Sequence, residues 1–312
     1  MTAQQERQPG QARLTRHGLF TDVRGDAASP ALLFLHGGPG QGCHEFMEFQ
    51  GGRLAAGVRL AGLDQRGVDR SVPLPEDASL TIADLIADCE ELREALGIER
   101  WAVLGHSFGG TLALRYAAAY PTAVTAVIFE NPALDVAIAC RTGLRRAARL
   151  LASQGHPEAA GAALAAAEGH ISPRAVRLAY TTALAALDDR EAFFLPEPAT
   201  RARMRQIEDT GDGRSEAEKA ASEASSERHQ ALIEADDSCY EPMFPLLPTL
   251  EMPALLITGG RDTISGAELS EAFRAASPAN QLIEFPEAGH FAHADTPDAY
   301  AAAVTAFLTE TA

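Results

Sequence analysis

The chain has 312 residues, 46% of them hydrophobic, which is enough apolar material for one large core with room for an appended module. Its formal net charge is −17 and the charged residues are dispersed; Lys219 is the sole lysine, so the positive charge is nearly all arginine. No basic stripe is offered to nucleic acid.

In chain order, the apolar run Ala31 to Leu35 ends at His36-Gly37-Gly38-Pro39-Gly40, and the run Val58 to Leu63 ends at Asp64-Gln65-Arg66-Gly67. Both read as buried strands feeding loops. From Ile82 to Leu96 the apolar residues Ile82, Leu85, Ile86, Cys89, Leu92 and Leu96 recur every three or four positions with carboxylates between them, the period of an amphipathic helix. A short apolar run from Trp101 to Leu104 then leads into Gly105-His106-Ser107-Phe108-Gly109, and helix-like sequence follows from Thr111 to Ala119. Strand, sharp turn with serine at its apex, and helix together form the pattern of a nucleophile elbow; the glycines keep side chains out of a strained turn that another backbone approaches. The next strand is Val124 to Phe129.

The alternation breaks between about Pro132 and Pro253. That span holds Ala- and Arg-rich helical patterns, a polar acidic stretch from Glu208 to Arg228, and prolines at 242, 245 and 248. It reads as a helical lid over residues 132–252, inserted into a core domain of residues 1–131 and 253–312. Gly211 to Ser226 is a mobile connection or an exposed helix with a solvated charged face. Strands resume at Ala254–Thr258 and Gln281–Phe285. Strands alternating with helices predict an α/β fold with a mostly parallel sheet covered on both faces.

Serine catalysis needs a base to take the hydroxyl proton and a carboxylate to orient the base, and in this architecture the chain order is serine, acid, histidine. Asp262 follows strand Ala254–Thr258 and His290 follows strand Gln281–Phe285, both at the strand ends where parallel sheets place their sites. The predicted catalytic set is Ser107, Asp262 and His290, with His293 placed past the loop at a helix start. The oxyanion donors are the backbone N–H groups of Phe108 and Gly38, with Gly37 as the alternative to Gly38. His36 braces the glycine-rich loop. His106 either packs inside the elbow or touches substrate; Glu130, at the end of its strand, and Gly37 are the other candidate substrate contacts. The histidines and carboxylates show no metal-ligand spacing, and neither a metal nor a cofactor is implied.

These motifs together resemble the proline iminopeptidases, exopeptidases with an α/β-hydrolase fold. The resemblance rests on His36-Gly37-Gly38-Pro39-Gly40, on Asp64-Gln65-Arg66-Gly67 with Ser71, on the elbow followed by Thr111-Leu112-Ala113-Leu114 and Tyr116, and on Gly260-Arg261-Asp262 and Gly289-His290. It implies removal of an N-terminal residue from a peptide or an aminoacyl amide, including protected intermediates of biosynthesis, with a carboxylate receiving the free amine. The chain departs from the family in having His106 and Phe108 around the serine and Asp69 where a second glycine is usual. Trp101 is its only tryptophan, so the Trp-Glu amine signature of the lid is missing, and Glu208, Glu223, Glu227, Glu234 and Glu241 are the lid glutamates open to that role. An esterase or lactonase would use the same core, and a non-catalytic ligand receptor is the remote alternative.

Four scattered cysteines form no C-x-x-C pair and no disulfide framework, so reduced thiols follow. Met1 to Gly18 is polar and has no signal-peptide core, and no run approaches the ~18 apolar residues of a membrane span. A soluble cytoplasmic protein, acting on a small molecule or short peptide with a free amino group, is the expectation.

Overall fold

Eight strands form one sheet in the computed structural model, which describes residues 11–14, 17–210 and 214–311. The strands are β1 (Gln11–Leu14), β2 (Phe20–Arg24), β3 (Ala31–Leu35), β4 (Arg59–Leu63), β5 (Trp101–His106), β6 (Val124–Glu130), β7 (Ala254–Gly259) and β8 (Gln281–Phe285). Their spatial order is β1-β2-β4-β3-β5-β6-β7-β8; β1 and β2 are antiparallel to their neighbours and the other six strands run parallel.

Helices α1 (His44–Leu54), α2 (Ile82–Ala95) and α3 (Phe108–Ala119) connect the first parallel strands. Between β6 and β7 lie α4 (Val136–Ser153), α5 (Pro157–Glu168), α6 (Pro173–Ala185), α7 (Arg190–Phe194), α8 (Pro198–Thr210) and α9 (Glu216–Ala235), then two 3-10 turns and, among the described residues, no strand. The chain closes with α10 (Ala267–Ala276), α11 (Ala292–Asp295) and α12 (Pro297–Glu310).

Alternate residues of each strand face opposite sides of the sheet, and this period divides the core in two. Leu33, Leu35, Val103, Val127, Phe129 and Leu256 pack on the side of α2, α3 and α10. Leu32, Phe34, Leu104, Ala126, Ile128 and Ile257 pack on the side of α1 and α12. Central parallel strands buried on both faces need apolar residues at every position, which is why they were visible as continuous runs. α2 begins at the predicted residue because Thr81 caps it reciprocally with Asp84.

β1 and β2 were not anticipated. β2 is Phe-Thr-Asp-Val-Arg, and its Asp22 and Arg24 pair with each other at 2.7 Å. A strand near the sheet edge that carries its own ion pair leaves no apolar run to detect.

The acidic stretch after Glu208 takes the helical one of its two expected forms, but it is not exposed all round. From Glu216 it is helix α9, and residues 211–213 lie outside the described set. One face of α9 is buried: Ser225 Oγ donates to Gly67 O at 2.6 Å, Ser222 Oγ donates to Asp69 O at 2.5 Å, and His229 Nδ1 donates to Arg66 O at 2.8 Å. The helix clamps the turn that follows β4. Met1 to Gly10 lie outside the described residues, and among those described no helix is long and apolar enough to cross a membrane.

Candidate active site

Ser107 joins β5 to α3 with φ 53° and ψ −118°. Its neighbours explain the flanking glycines: a Cβ on Gly105 would lie 2.2 Å from Gly109 O, and a Cβ on Gly109 would lie 2.0 Å from Leu35 O. Backbone fills the space a side chain would need. The strained turn is tied to the sheet by Ser107 N–H donating to Glu130 O at 3.0 Å, while Ser107 O accepts from Gly110 and Ala133 N–H, each at 3.0 Å.

The structure brings three residues predicted from the sequence into one hydrogen-bonded chain. His290 Nε2 lies 2.9 Å from Ser107 Oγ, and His290 Nδ1 lies 2.8 Å from Asp262 Oδ1. Burial alone would raise the Asp262 carboxyl pKa. The adjacent His290 and the N–H groups of Ile264 and Ser265 outweigh that and hold it below its ordinary value. Thr263 N donates to Oδ1 at 2.7 Å and Ser265 N to Oδ2 at 2.6 Å, so the ionised carboxylate is fully engaged. A charged acceptor at Nδ1 fixes the imidazole with its proton there and its Nε2 lone pair toward Ser107.

Asn131, directly after β6, was missed by sequence reasoning. Its Nδ2 donates to Gly289 O at 3.0 Å and His290 O at 2.9 Å, and its Oδ1 accepts from Gly259 N at 2.8 Å. It pins the histidine loop to the end of β7. Its signal in the sequence is its place as the second of two polar residues, Glu130-Asn131, that close an apolar strand.

The glycine-rich loop lies beside the serine. Gly38 has φ +112°, a region that favours glycine, and it lines the same cavity as Ser107, Phe108 and His290. Phe108 is the first residue of α3, so its N–H is one of those a helix leaves without an intrahelical acceptor. His36 braces the loop as expected: Gln65 N donates to its Nε2 at 3.1 Å and its Nδ1 donates to Gly37 O at 2.9 Å. Behind this, Asp64 accepts from Cys43 N at 2.7 Å and from Arg70 Nε at 2.7 Å. The Asp64-Gln65-Arg66-Gly67 motif is thus the support of the glycine-rich loop. Asp69 takes up the left-handed conformation at φ 47°, which aspartate tolerates better than most residues.

Two expected substrate contacts, Glu130 and Gly37, are corrected, and His106 takes the packed position of its two readings. Glu130 is fully buried and does not line the cavity; it shares the parity of Ala126 and Ile128 along β6 and faces α12. There it accepts from His293 N at 2.9 Å, His293 Nδ1 at 2.8 Å and Tyr300 OH at 3.1 Å. His106 is buried beneath the loop, its ring 4.9 Å from that of His290 and its Nε2 donating to His290 O at 3.0 Å. Burial lowers its pKa to about 3, so it is a neutral packing group. Gly37 is buried against Ser107 and His106 and lies outside the cavity wall.

The cavity above Ser107 measures about 350 Å³. Apart from His290 its charged wall residues are Arg177, Arg190 and Glu234, all from the segment between β6 and β7. Of the lid glutamates considered from the sequence, only Glu234 lines it, held by Arg177 Nη2 at 2.6 Å and Gln230 Nε2 at 3.0 Å.

A parallel sheet with a serine elbow, and an acid and a histidine on later strand ends, defines an α/β hydrolase. The α/β-hydrolase-fold profile matches residues 30–297, and the chain belongs to that family. A proline iminopeptidase of Xylella fastidiosa (strain 9a5c) is 42% identical over 116 residues, 37% of this chain and 36% of that protein. A proline iminopeptidase of Xanthomonas citri is 44% identical over 104 residues, 33% of this chain and 32% of that protein. The chain therefore spans about a third of the length of the curated relatives it matches. Among solved structures, a proline iminopeptidase-related protein from Thermus thermophilus superposes with a TM-score of 0.71 at 25% identity, covering 97% of this chain and 98% of that one. The proline iminopeptidase of Mycobacterium smegmatis superposes with a TM-score of 0.64 over 96% of this chain and 98% of that one, and at 22% identity shows the fold alone. The chain is thus an α/β-hydrolase-fold protein with a stretch similar to proline iminopeptidases.

Proposed function

We propose that this enzyme is a serine hydrolase that removes an aminoacyl group from an amide through an acyl-enzyme, with Ser107 as nucleophile, His290 as base and Asp262 as the group that orients the base. The observation that carries the reading is the unbroken chain from Asp262 Oδ1 through His290 to Ser107 Oγ at the floor of the cavity. Ser107 attacks the scissile carbonyl as its proton passes to His290 Nε2. The N–H groups of Gly38 and Phe108 receive the negative oxygen, His290 returns the proton to the leaving amine, and water then repeats the sequence on the acyl-serine. Residues 132–252 act as the lid that bounds the acyl group, and Glu234 is the carboxylate offered to the free ammonium.

A cytoplasmic setting belongs to the same reading; four buried free thiols suit a reducing compartment. A second reading, an esterase, is favoured by one observation: Glu234 is already paired with Arg177, so an ammonium must compete for it.

The decisive comparison is alanyl and prolyl anilides against their N-acetyl forms, with matched esters in parallel. A free-amine enzyme loses roughly two orders of magnitude in kcat/KM on acetylation, the scale of a lost charged hydrogen bond. Equal rates for blocked and free substrates would leave the esterase.

A further inference from the structure

The Tyr180 hydroxyl is shut off from solvent and has no hydrogen-bond partner, and of the described buried side-chain polar atoms in that condition it is the one whose residue lines the cavity above Ser107. An orphaned hydroxyl is costly to bury, and native structures reserve such groups for a bound partner or water. Its surroundings identify the partner's charge. The Arg177 guanidinium sits 5.9 Å from the Tyr180 ring centroid, and Arg190, which also lines the cavity, makes no side-chain hydrogen bond or ion pair among the described residues. Glu234 neutralises Arg177, and Asp262, whose charge also reaches the hydroxyl, is engaged by His290 and the N–H groups of Thr263 and Ser265, which leaves the exposed Arg190 as the unmatched cation of this wall. Burial pushes the phenol well above its ordinary pKa, so it stays a neutral donor. An ammonium placed here would face the unmatched Arg190 guanidinium, whereas a carboxylate would accept from the hydroxyl and be drawn to that cation.

We infer that the α6–α7 wall of the cavity is a carboxylate-binding subsite, in which Tyr180 donates its hydroxyl to a carboxylate on the acyl part of the substrate and Arg190 supplies the opposing charge. The acyl part is assigned because the leaving group departs after the first step, and a buried anchor serves the portion that stays on Ser107. The inference rests on the acyl-enzyme reading and narrows it to acidic acyl groups, an acidic aminoacyl group if Glu234 also takes an amine.

The test compares mono-p-nitrophenyl glutarate with p-nitrophenyl valerate, which replaces the carboxylate by a methyl group. The wild-type enzyme is expected to prefer the glutarate by tenfold or more in kcat/KM, and both Tyr180→Phe and Arg190→Met to lower that preference at least fivefold. A structural role would slow both esters alike and leave the ratio unmoved, which would overturn the assignment, as would a wild-type preference for valerate. If neither ester turns over and a fluorophosphonate fails to label Ser107, the hydrolase reading fails by itself. The subsite is then judged by calorimetric titration of glutarate: saturable binding that Tyr180→Phe abolishes supports it, and absence of binding, or binding that the variant retains, rejects it.

Discussion

Ser107 occupies a backbone conformation that costs a non-glycine residue about 1–3 kcal/mol. Three backbone hydrogen bonds and the close approach of Leu35 O to Gly109 hold it there, so the side chain plays little part in fixing the turn. Ser107→Ala is therefore expected to melt within a degree or two of the wild type while turnover falls by several orders of magnitude, the behaviour of one member of a cooperative triad. A fluorophosphonate should label Ser107 and nothing in the variant; full activity in Ser107→Ala would remove the proposed nucleophile. The two nearby histidines separate in the opposite sense. His290→Ala loses turnover with the fold intact. His293→Ala keeps turnover within roughly tenfold of the wild type per folded molecule but loses about 3–5 kcal/mol, because it strands the buried Glu130 carboxylate. Chemical denaturation beside a rate assay reads both.

Five of the six parallel strands were legible as apolar runs and β8, Gln-Leu-Ile-Glu-Phe, as a half-apolar strand, and each proposed triad residue lies in the turn or loop just beyond a strand end. The substrate contacts were not legible in the same way. Glu130 looked like a residue at the mouth of the sheet, but period two along β6 sends it to the face of Ala126 and Ile128, under α12; that parity was present in the sequence and decides against the cavity. The inner face of α9 was hidden for a different reason: it is made of Ser222, Ser225 and His229, polar residues whose partners are backbone atoms 153, 158 and 163 positions away in the chain. No local pattern announces such a contact. Its strength can be measured. Ser225 Oγ donates to Gly67 O at 2.6 Å and accepts from Leu74 N at 2.9 Å, so Ser225→Ala leaves a buried donor and acceptor unmet, at a cost of about 1–3 kcal/mol. The variant should melt several degrees lower, whereas Glu223→Ala, on the exposed face of the same helix, should be neutral within about 0.5 kcal/mol and serves as the control.

At the scale of the molecule, a buried charge cluster ties together elements that are distant in the chain. His293 on α11 bonds Glu130 of β6 at 2.8 Å and Glu45 of α1 at 2.8 Å, while Tyr300 of α12 donates to Glu130 at 3.1 Å. Burial alone would lower the His293 pKa, but the two carboxylates outweigh it and raise the pKa to about 10; burial would raise that of Glu130, but His293 and His106 bring it down to about 2. Folding therefore favours the charged form of each. The His293 contribution is complete below its unfolded value of 6.5 and is lost as pH rises from there through about 10; the Glu130 contribution is complete above 4.5 and is lost as pH falls toward about 2. Both act in full between about pH 4.5 and 6.5. His293→Gln removes the ion pair, so the stability gap between wild type and variant should be widest in that window and should narrow steadily as pH is raised toward 10. Urea unfolding of the two proteins at about pH 5.5, 7.5 and 9.5 measures the gap directly. A gap that stays constant across the three would mean that His293 is bound as a neutral imidazole and that the cluster joins these elements by hydrogen bonds alone.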